Sequence, residues 1–440
     1  MPSPTPSSRW TFSALDAKRV PAPDIEPPDA IRPIRNPHGP PRIAVLGDFG
    51  ASAATDRHDR GAALARCRSI HVEEGTLDKT LQRLCPRLRL PLGATAAPVE
   101  VVLTGLESFH PDSLYKTLGV FTVGLSALRR RLSNNLSFPT VAEQMRHWSR
   151  IGRTPASALA NRRRPLGDDP SVDALLPHLV GPFLSRVDTE SQADCIACVD
   201  LAIADTMRAL LHQPDFRQAE ALWRGVGHLL HEAQGVQAAQ IYLIDIGFDE
   251  FTADLGSGVR IADTTLYRLL AHRPAHEPAG AYSYIAACYD FETRPEHAAL
   301  LTRLSRVAAC AGAPCITALP RKSIDSDPNQ AAGWTSAIEK LAAQPDASYL
   351  ALTDACAPLR PAYAPETHPI ASFKFDEAET GKAAAALWCH PALHALHLLT
   401  SLEPTGKLGS SAEVAAIDGT VLRHSLQATI DDQGADGPPA

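Results

Sequence analysis

The chain has 440 residues, 45% hydrophobic and 21% charged, which is enough apolar material for two or more cores. A net charge of −7 with a pI near 6.2 argues against a nucleic-acid binder, because such binding rests on Lys and Arg neutralising phosphates. No apolar run is long enough to span a bilayer, and "MPSPTPSSRW" lacks a charged-then-apolar signal segment, so no membrane insertion and a cytoplasmic location are expected. The nine scattered cysteines read as reduced, mostly buried thiols.

Residues 1–41 carry 11 of the 37 prolines and are expected to be disordered. The run "RIAVLG" from Arg42 then reads as a buried strand ended by glycine. Leu77, Leu81, Leu84 and Leu88 recur at helical spacing, with Pro86 ending that helix early. Val99–Thr104 reads as a strand. From Pro111 one long helix is expected, with Leu114, Leu118, Phe121, Leu125, Leu128 and Leu132 on a single face.

Periodicity is lost from 133 to 175, where basic and then acidic residues mix with Pro and Gly. That stretch reads as a linker with a short helix around Val141–Arg150. The runs Arg129–Arg131 and Arg162–Arg164 read as solvated helix ends or linker.

Ile196, Val199, Ile203, Met207 and Leu210 then form a helical stripe, which Pro214 breaks. Asp215 is positioned to cap the next helix with Gln218 reaching back, and Phe216, Ala219, Leu222, Trp223, Val226 and Leu230 share one face of it. Trp223 is expected in the core, and Glu220 and Arg224 have i, i+4 pairing. Strands follow at Ile241–Ile246, Tyr282–Cys288, Cys315–Leu319 and Ser348–Thr353. Between them come helices around Thr265–Leu270, His297–Ala311 and Trp334–Ala343. Such alternation predicts an α/β fold with a mainly parallel sheet covered on both faces. A last helix is expected over Lys382–Thr400.

No constellation reads as an active site, so no catalytic, cofactor-binding or metal-ligating residue is assigned. Asp48-Phe49-Gly50 spells the metal-binding triplet of protein kinases, but only 47 residues precede it and none of the other kinase motifs is present. Asp48 is instead expected to end a strand and shape the turn that follows. "TGKA" at Thr380–Ala383 resembles the end of a phosphate loop, yet Lys382 precedes Ala rather than Ser or Thr. Cys195 and Cys198 form a C-x-x-C without a second pair. His390, His394 and His397 could share a helix face and hold a metal, although polar or packed histidines are the simpler reading. There is no G-x-S-x-G, and apolar settings quiet the cysteines.

Two sets of residues resemble known families. "PPRIAVLGDFG", "DKTLQRLCPRLRL", "VEVVLTGLESFHPDSLY" and "LSALRRRL" resemble the small contractile-sheath subunit of type VI secretion systems (TssB or VipA). That family carries a strand ending in Gly-Asp-Phe and a later element matched here by Phe109, Pro111, Asp112 and Leu114. "RALLHQPDFRQAEALWRGVGHLL" resembles the large sheath subunit (TssC or VipB) through Leu211, His212, Pro214, Phe216, Glu220, Trp223, Arg224 and Gly225. "FTADL", "LYRLL", "YDFE" and "LWCHPALHAL" match that family further.

The resemblance implies a natural fusion: a small-subunit-like domain over 42–135, a linker over 136–175, a large-subunit-like domain over 176–425 and a disordered tail over 426–440. The large-subunit likeness stops soon after Ser401, apart from "KLGSSAEVAAIDGT". A sheath subunit works by protein–protein contacts around an inner tube. The implied partners are therefore the chain itself and other sheath subunits, with the inner tube, a baseplate and a recycling ATPase as further ones. The linker would supply an inserted strand or a docking helix. Two alternatives remain: an accessory that caps or regulates the sheath, and an α/β enzyme with a nucleotide or metal site near the carboxyl ends of strands 241–246 and 315–319.

Overall fold

The computed structural model describes residues 39–52, 64, 67–92, 98–151, 172–184, 191–233, 239–256, 259–320, 328–378 and 386–401. The expectations for 1–38, for most of the linker and for the tail lie outside these residues, as do Thr380–Ala383 and Arg162–Arg164.

The molecule is built on a mixed, mostly parallel six-stranded sheet. β1 (Arg42–Gly47), the apolar run read first from the sequence, lies in its interior. On one side it pairs in parallel with β5 (Gln240–Asp245), Val45 opposite Leu243. On the other it pairs in parallel with β6 (Tyr284–Ala287), Val45 opposite Ala286. β7 (Cys315–Ala318) and β8 (Leu350–Thr353) extend the parallel set. β2 (Ser69–Val72) closes the other edge, antiparallel to β5. The order is β2-β5-β1-β6-β7-β8, so β1 and β2 come from the first part of the chain and the rest from the second. Strands from before residue 73 and from after residue 239 therefore share one sheet.

Sheet burial on both faces explains why these strands read as continuous apolar runs. Successive side chains of β1 alternate between two cores. Ile43 and Val45 join one, and Ala44 and Leu46 the other. The first strand residue, Arg42, is also buried, its guanidinium lying 4.6 and 4.9 Å from the ring centres of Tyr242 and Tyr282 and 3.2 Å from Glu277.

The second core is largely one contiguous stretch of chain. It is covered by α8 (Phe248–Asp254), α9 (Thr265–Tyr267) with the π turn Arg268–His272 that leads into α10 (Arg273–His276), α11 (Pro295–Ala311) and α12 (Pro328–Ala342). The first core gathers distant parts: α1 (Leu77–Leu84), α2 (Pro111–Thr117), α3 (Ser126–Ser133), α4 (Phe138–Ile151), α5 (Val172–Leu184), α6 (Gln192–Leu211), α7 (Pro214–Glu232) and α13 (Pro391–Ser401). A hairpin of β3 (Arg87–Pro91) and β4 (Pro98–Val102) and a second of β9 (Pro358–Arg360) and β10 (Leu387–Trp388) complete it.

Local differences from the sequence reading have physical causes. The helix from Pro111 is not continuous. It stops at Thr117, Leu118 is extended, and a π turn over Val120–Leu125 leads into α3. Gly119 weakens the helix there, and a Cβ at Gly124 would lie 2.7 Å from a Val172 methyl, so the turn leaves room for α5. Pro214, not Asp215, opens α7: Gln213 is the cap residue and Asp215 sits in the first turn, where its charge favours the helix dipole. The last helix begins at Pro391 rather than Lys382, because Leu387–Trp388 is drawn into the pairing with β9. Within the expected linker, α4 is longer than anticipated and packs Val141 and Met145 into the first core. α5 starts at Val172 and tolerates Pro177 and Pro182 within its span.

Candidate functional site

The turn after β1 carries the kinase-like triplet, and its geometry is structural. Asp48 Oδ1 accepts hydrogen bonds from the Ser52 amide (2.7 Å) and hydroxyl (2.8 Å), closing the turn as the sequence suggested. The Gly50 amide donates to Asp245 Oδ1 at 2.8 Å, and a Cβ on Gly50 would lie 2.8 Å from Asp245 Oδ2, so the turn tolerates only glycine without rearrangement.

Phe49 points into the first core and meets Trp223 of α7 edge-on, with centroids 5.3 Å apart and planes at 74°. The Trp223 indole N–H donates to the Phe49 carbonyl at 3.3 Å. Trp223 is wholly buried, as its place on the apolar stripe required. Phe109 and Phe216 make a second edge-on contact at 5.6 Å. Pro111 opens α2, and the Asp112 carboxylate accepts from the Ser372 (2.8 Å) and Ala371 (3.1 Å) amides. Burial alone would raise the Asp112 pKa, but these donors and the neighbouring His110 outweigh it and hold it low. Residues of both sequence motifs, separated by more than a hundred positions, thus pack against one another.

Beneath them lies a buried ionic node. Glu220 is fully buried and holds Arg360 bidentately at 2.9 and 3.1 Å and Arg224 at 2.8 Å. The Glu220–Arg224 pairing was visible in the spacing; Arg360, from a region without a motif, was not. Arg360 also donates to Glu377 at 2.9 Å and lies 4.4 Å from the Tyr363 ring centre. Glu377 accepts from the Tyr363 amide at 2.9 Å and lies 3.3 Å from His212 Nε2. Burial pushes the Glu377 pKa up, but His212, Arg360 and the Tyr363 amide together bring it below the usual carboxylate value. For Arg360, burial works against the charge, and Glu220 and Glu377 more than restore it. The node fastens residues 358–377 to α6 and α7, so its chemistry is mechanical attachment.

The remaining candidates separate in space. His390 caps α13, its Nδ1 accepting from the Ala392 amide at 3.2 Å. His394 and His397 turn instead toward His228 of α7, a residue that no sequence motif singled out. Among the described residues no group of three or more His, Cys, Asp or Glu is arranged to hold a metal ion. Cys195 and Cys198 are buried free thiols on α6, and burial pushes Cys198 up to about 11.

At the carboxyl ends of β1 and β5 an open cleft of about 950 Å³ is lined by Ser52, Arg68, Lys79, Arg83, Asp245 and Glu250, among others. Residues 315–319 are not among its lining. Burial, then the charges of Asp48 and Glu250 against the Gly50 amide, raise Asp245 to about 7. Among the described residues no helix is long and apolar enough to cross a membrane.

Comparison with known proteins gives two findings. Residues 193–406 match the profile of the VipB family (EvpB/VC_A0108), tail sheath N-terminal domain. A stretch of 219 residues is 25% identical to the type VI secretion system sheath protein TssC1 of Pseudomonas aeruginosa, over 45% of this chain and 43% of that protein. The chain therefore spans less than half the length of the curated relative it matches. From α6 to just beyond α13, the chain is similar to the tail-sheath domain of type VI secretion sheath proteins of the TssC kind.

Proposed function

We propose that the chain is a structural subunit of a type VI contractile sheath in which a small-subunit-like (TssB) part, 42–135, is fused to a large-subunit-like (TssC) part, 176–425. The observation that carries this reading is the interlock: β1 lies between β5 and β6, and Phe49 and Phe109 of the first part pack on Trp223 and Phe216 of the second. A residue set that resembles one sheath subunit is thereby bound to the set that resembles the other by core contacts. On this reading the chain performs no bond chemistry. It assembles in the cytoplasm with itself and other sheath subunits around an inner tube, and a baseplate and a recycling ATPase are its further partners. Repeated head-to-tail contacts that do not close would generate the cylinder.

Electron microscopy of the purified chain, alone and mixed with sheath subunits, tests this. Tubes, or sheath ends decorated by the chain, are expected. A monomer without affinity for sheath, together with saturable nucleotide or metal binding at the cleft beside Asp245, would overturn it in favour of an enzyme. A protease site inserted between 151 and 172 tests the interlock separately. The two parts are expected to stay associated after cleavage, because the contacts that join them are buried core contacts.

A further inference from the structure

α13 lies against α7 and over β6, β7 and β8. Its apolar side chains Ala392, Leu393 and Leu396 are buried. A close approach is possible because residue 225 is glycine: a Cβ there would lie 2.8 Å from Leu393 Cδ1 and 3.4 Å from Cys389 Sγ. That approach brings three imidazoles together. His228 of α7 stacks on His397 with centroids 4.5 Å apart and planes at 24°, and His397 lies 6.2 Å from His394 at 20°. The two rings on α13 are half-buried and the His228 ring is exposed.

We propose that this three-histidine stack is an acid-sensitive latch: neutral, the rings pack and α13 lies flat on α7; protonated, they repel and loosen α13 before the sheet beneath it opens.

The charged groups around the stack come from two directions: Glu74 and Asp78, before and within α1, line the same cleft as His228 and Arg224. α7 contributes His228 and, near His397, Glu232, which favours a proton there. Arg224 of the same helix is engaged by Glu220. β6, β7 and β8 contribute no charged side chain, their sequences being YIAA, CITA and LALT. Burial and then the neighbouring imidazoles lower the pKa of both His394 and His397; for His397, Glu232 opposes this only in part. The sign follows. A histidine whose pKa is depressed when docked binds its proton more readily undocked, so docking is favoured at neutral pH and weakens as pH falls through the undocked and then the docked value.

Hydrogen exchange of the full chain, corrected for the intrinsic pH dependence of the amides, tests the latch. Between about pH 7.5 and pH 5.5, opening of 391–401 should rise roughly tenfold or more, as one preferentially bound proton gives tenfold per pH unit, while protection of β6 and β7 holds. In the His394→Gln/His397→Gln variant the rise should fall below about twofold. His228→Gln, at an exposed ring, should blunt the rise and serves if the double variant does not fold. The proposal is overturned if protection of 391–401 does not change with pH. It is overturned equally if the variants keep the full response, or if α13 opens only together with β6 and β7.

Discussion

The two faces of the central sheet are built in different ways. Beneath one face, Ala44 and Leu46 of β1 meet a run of strands and helices between 244 and 352 that follow one another in the chain. Beneath the other, Ile43 and Val45 meet helices and hairpins drawn from 72 to 396, and the joints are aromatic pairs and a buried ionic node. Local βαβ succession needs little beyond apolar patterning to find its register. A face stitched from distant segments has many wrong ways to collapse, and groups that pay a desolvation cost when mispaired discriminate among them. We take the node to select this arrangement, and substitutions on the two faces test the contrast.

The largest effect is expected at Arg360. Arg360→Leu leaves Glu220 and Glu377 buried without their shared cation, and denaturant unfolding should show a loss of about 3–5 kcal/mol. A loss below about 1 kcal/mol would mean that the node contributes little to this face. Next is Gly225→Ala, where the added methyl meets Leu393; a loss of about 1–3 kcal/mol is expected from overpacking between α7 and α13. Gly312→Ala, at a left-handed helix end on the other face with open space around it, is the matched control. Its cost comes from backbone strain alone, about 1 kcal/mol.

A double-mutant cycle on Phe49→Leu and Trp223→Leu should return a coupling of about 0.5–1.5 kcal/mol, the share of the interlock due to the edge-on ring pair; the indole's hydrogen bond goes to the Phe49 backbone carbonyl and cancels from the cycle. No coupling would reduce the contact to simple burial. The last test reads a slope and not a single magnitude. Asp245, raised to about 7, keeps its proton more tightly folded than unfolded. Stability should therefore be full below its ordinary carboxylate value and decline as pH rises from about 4 to about 7. Asp245→Asn retains an acceptor for the Gly50 amide and should flatten that decline in a pH series of chemical unfolding.

Much of the scaffold was legible in the residues. β1, β5, β6, β7 and β8 announce themselves as short apolar runs because both faces of a parallel sheet are buried. α6, α7 and α11 do so through helical stripes. Three features stayed hidden for identifiable reasons. β2 is four residues long and only one of them is buried, so its pattern is too weak to read. Arg360 and Glu377 lie in a stretch without periodicity, and nothing local marks them as partners of Glu220. His228 looks like one more polar position on α7 until α13 is laid against it.

Composition and patterning by themselves determined the fold class, the two motif regions and the expectation that Asp48-Phe49-Gly50 shapes a turn, since all of these depend on near neighbours in the chain. Tertiary structure alone decided that β1 enters the interior of a sheet made mostly by the second part, that Phe49 rests on Trp223, and which buried charges balance one another. The sheet pairing, the Phe49–Trp223 contact and the Glu220–Arg360 pair join residues more than a hundred positions apart. They are selected by burial and hydrogen-bond satisfaction summed over the whole molecule, a quantity that no local window of sequence contains.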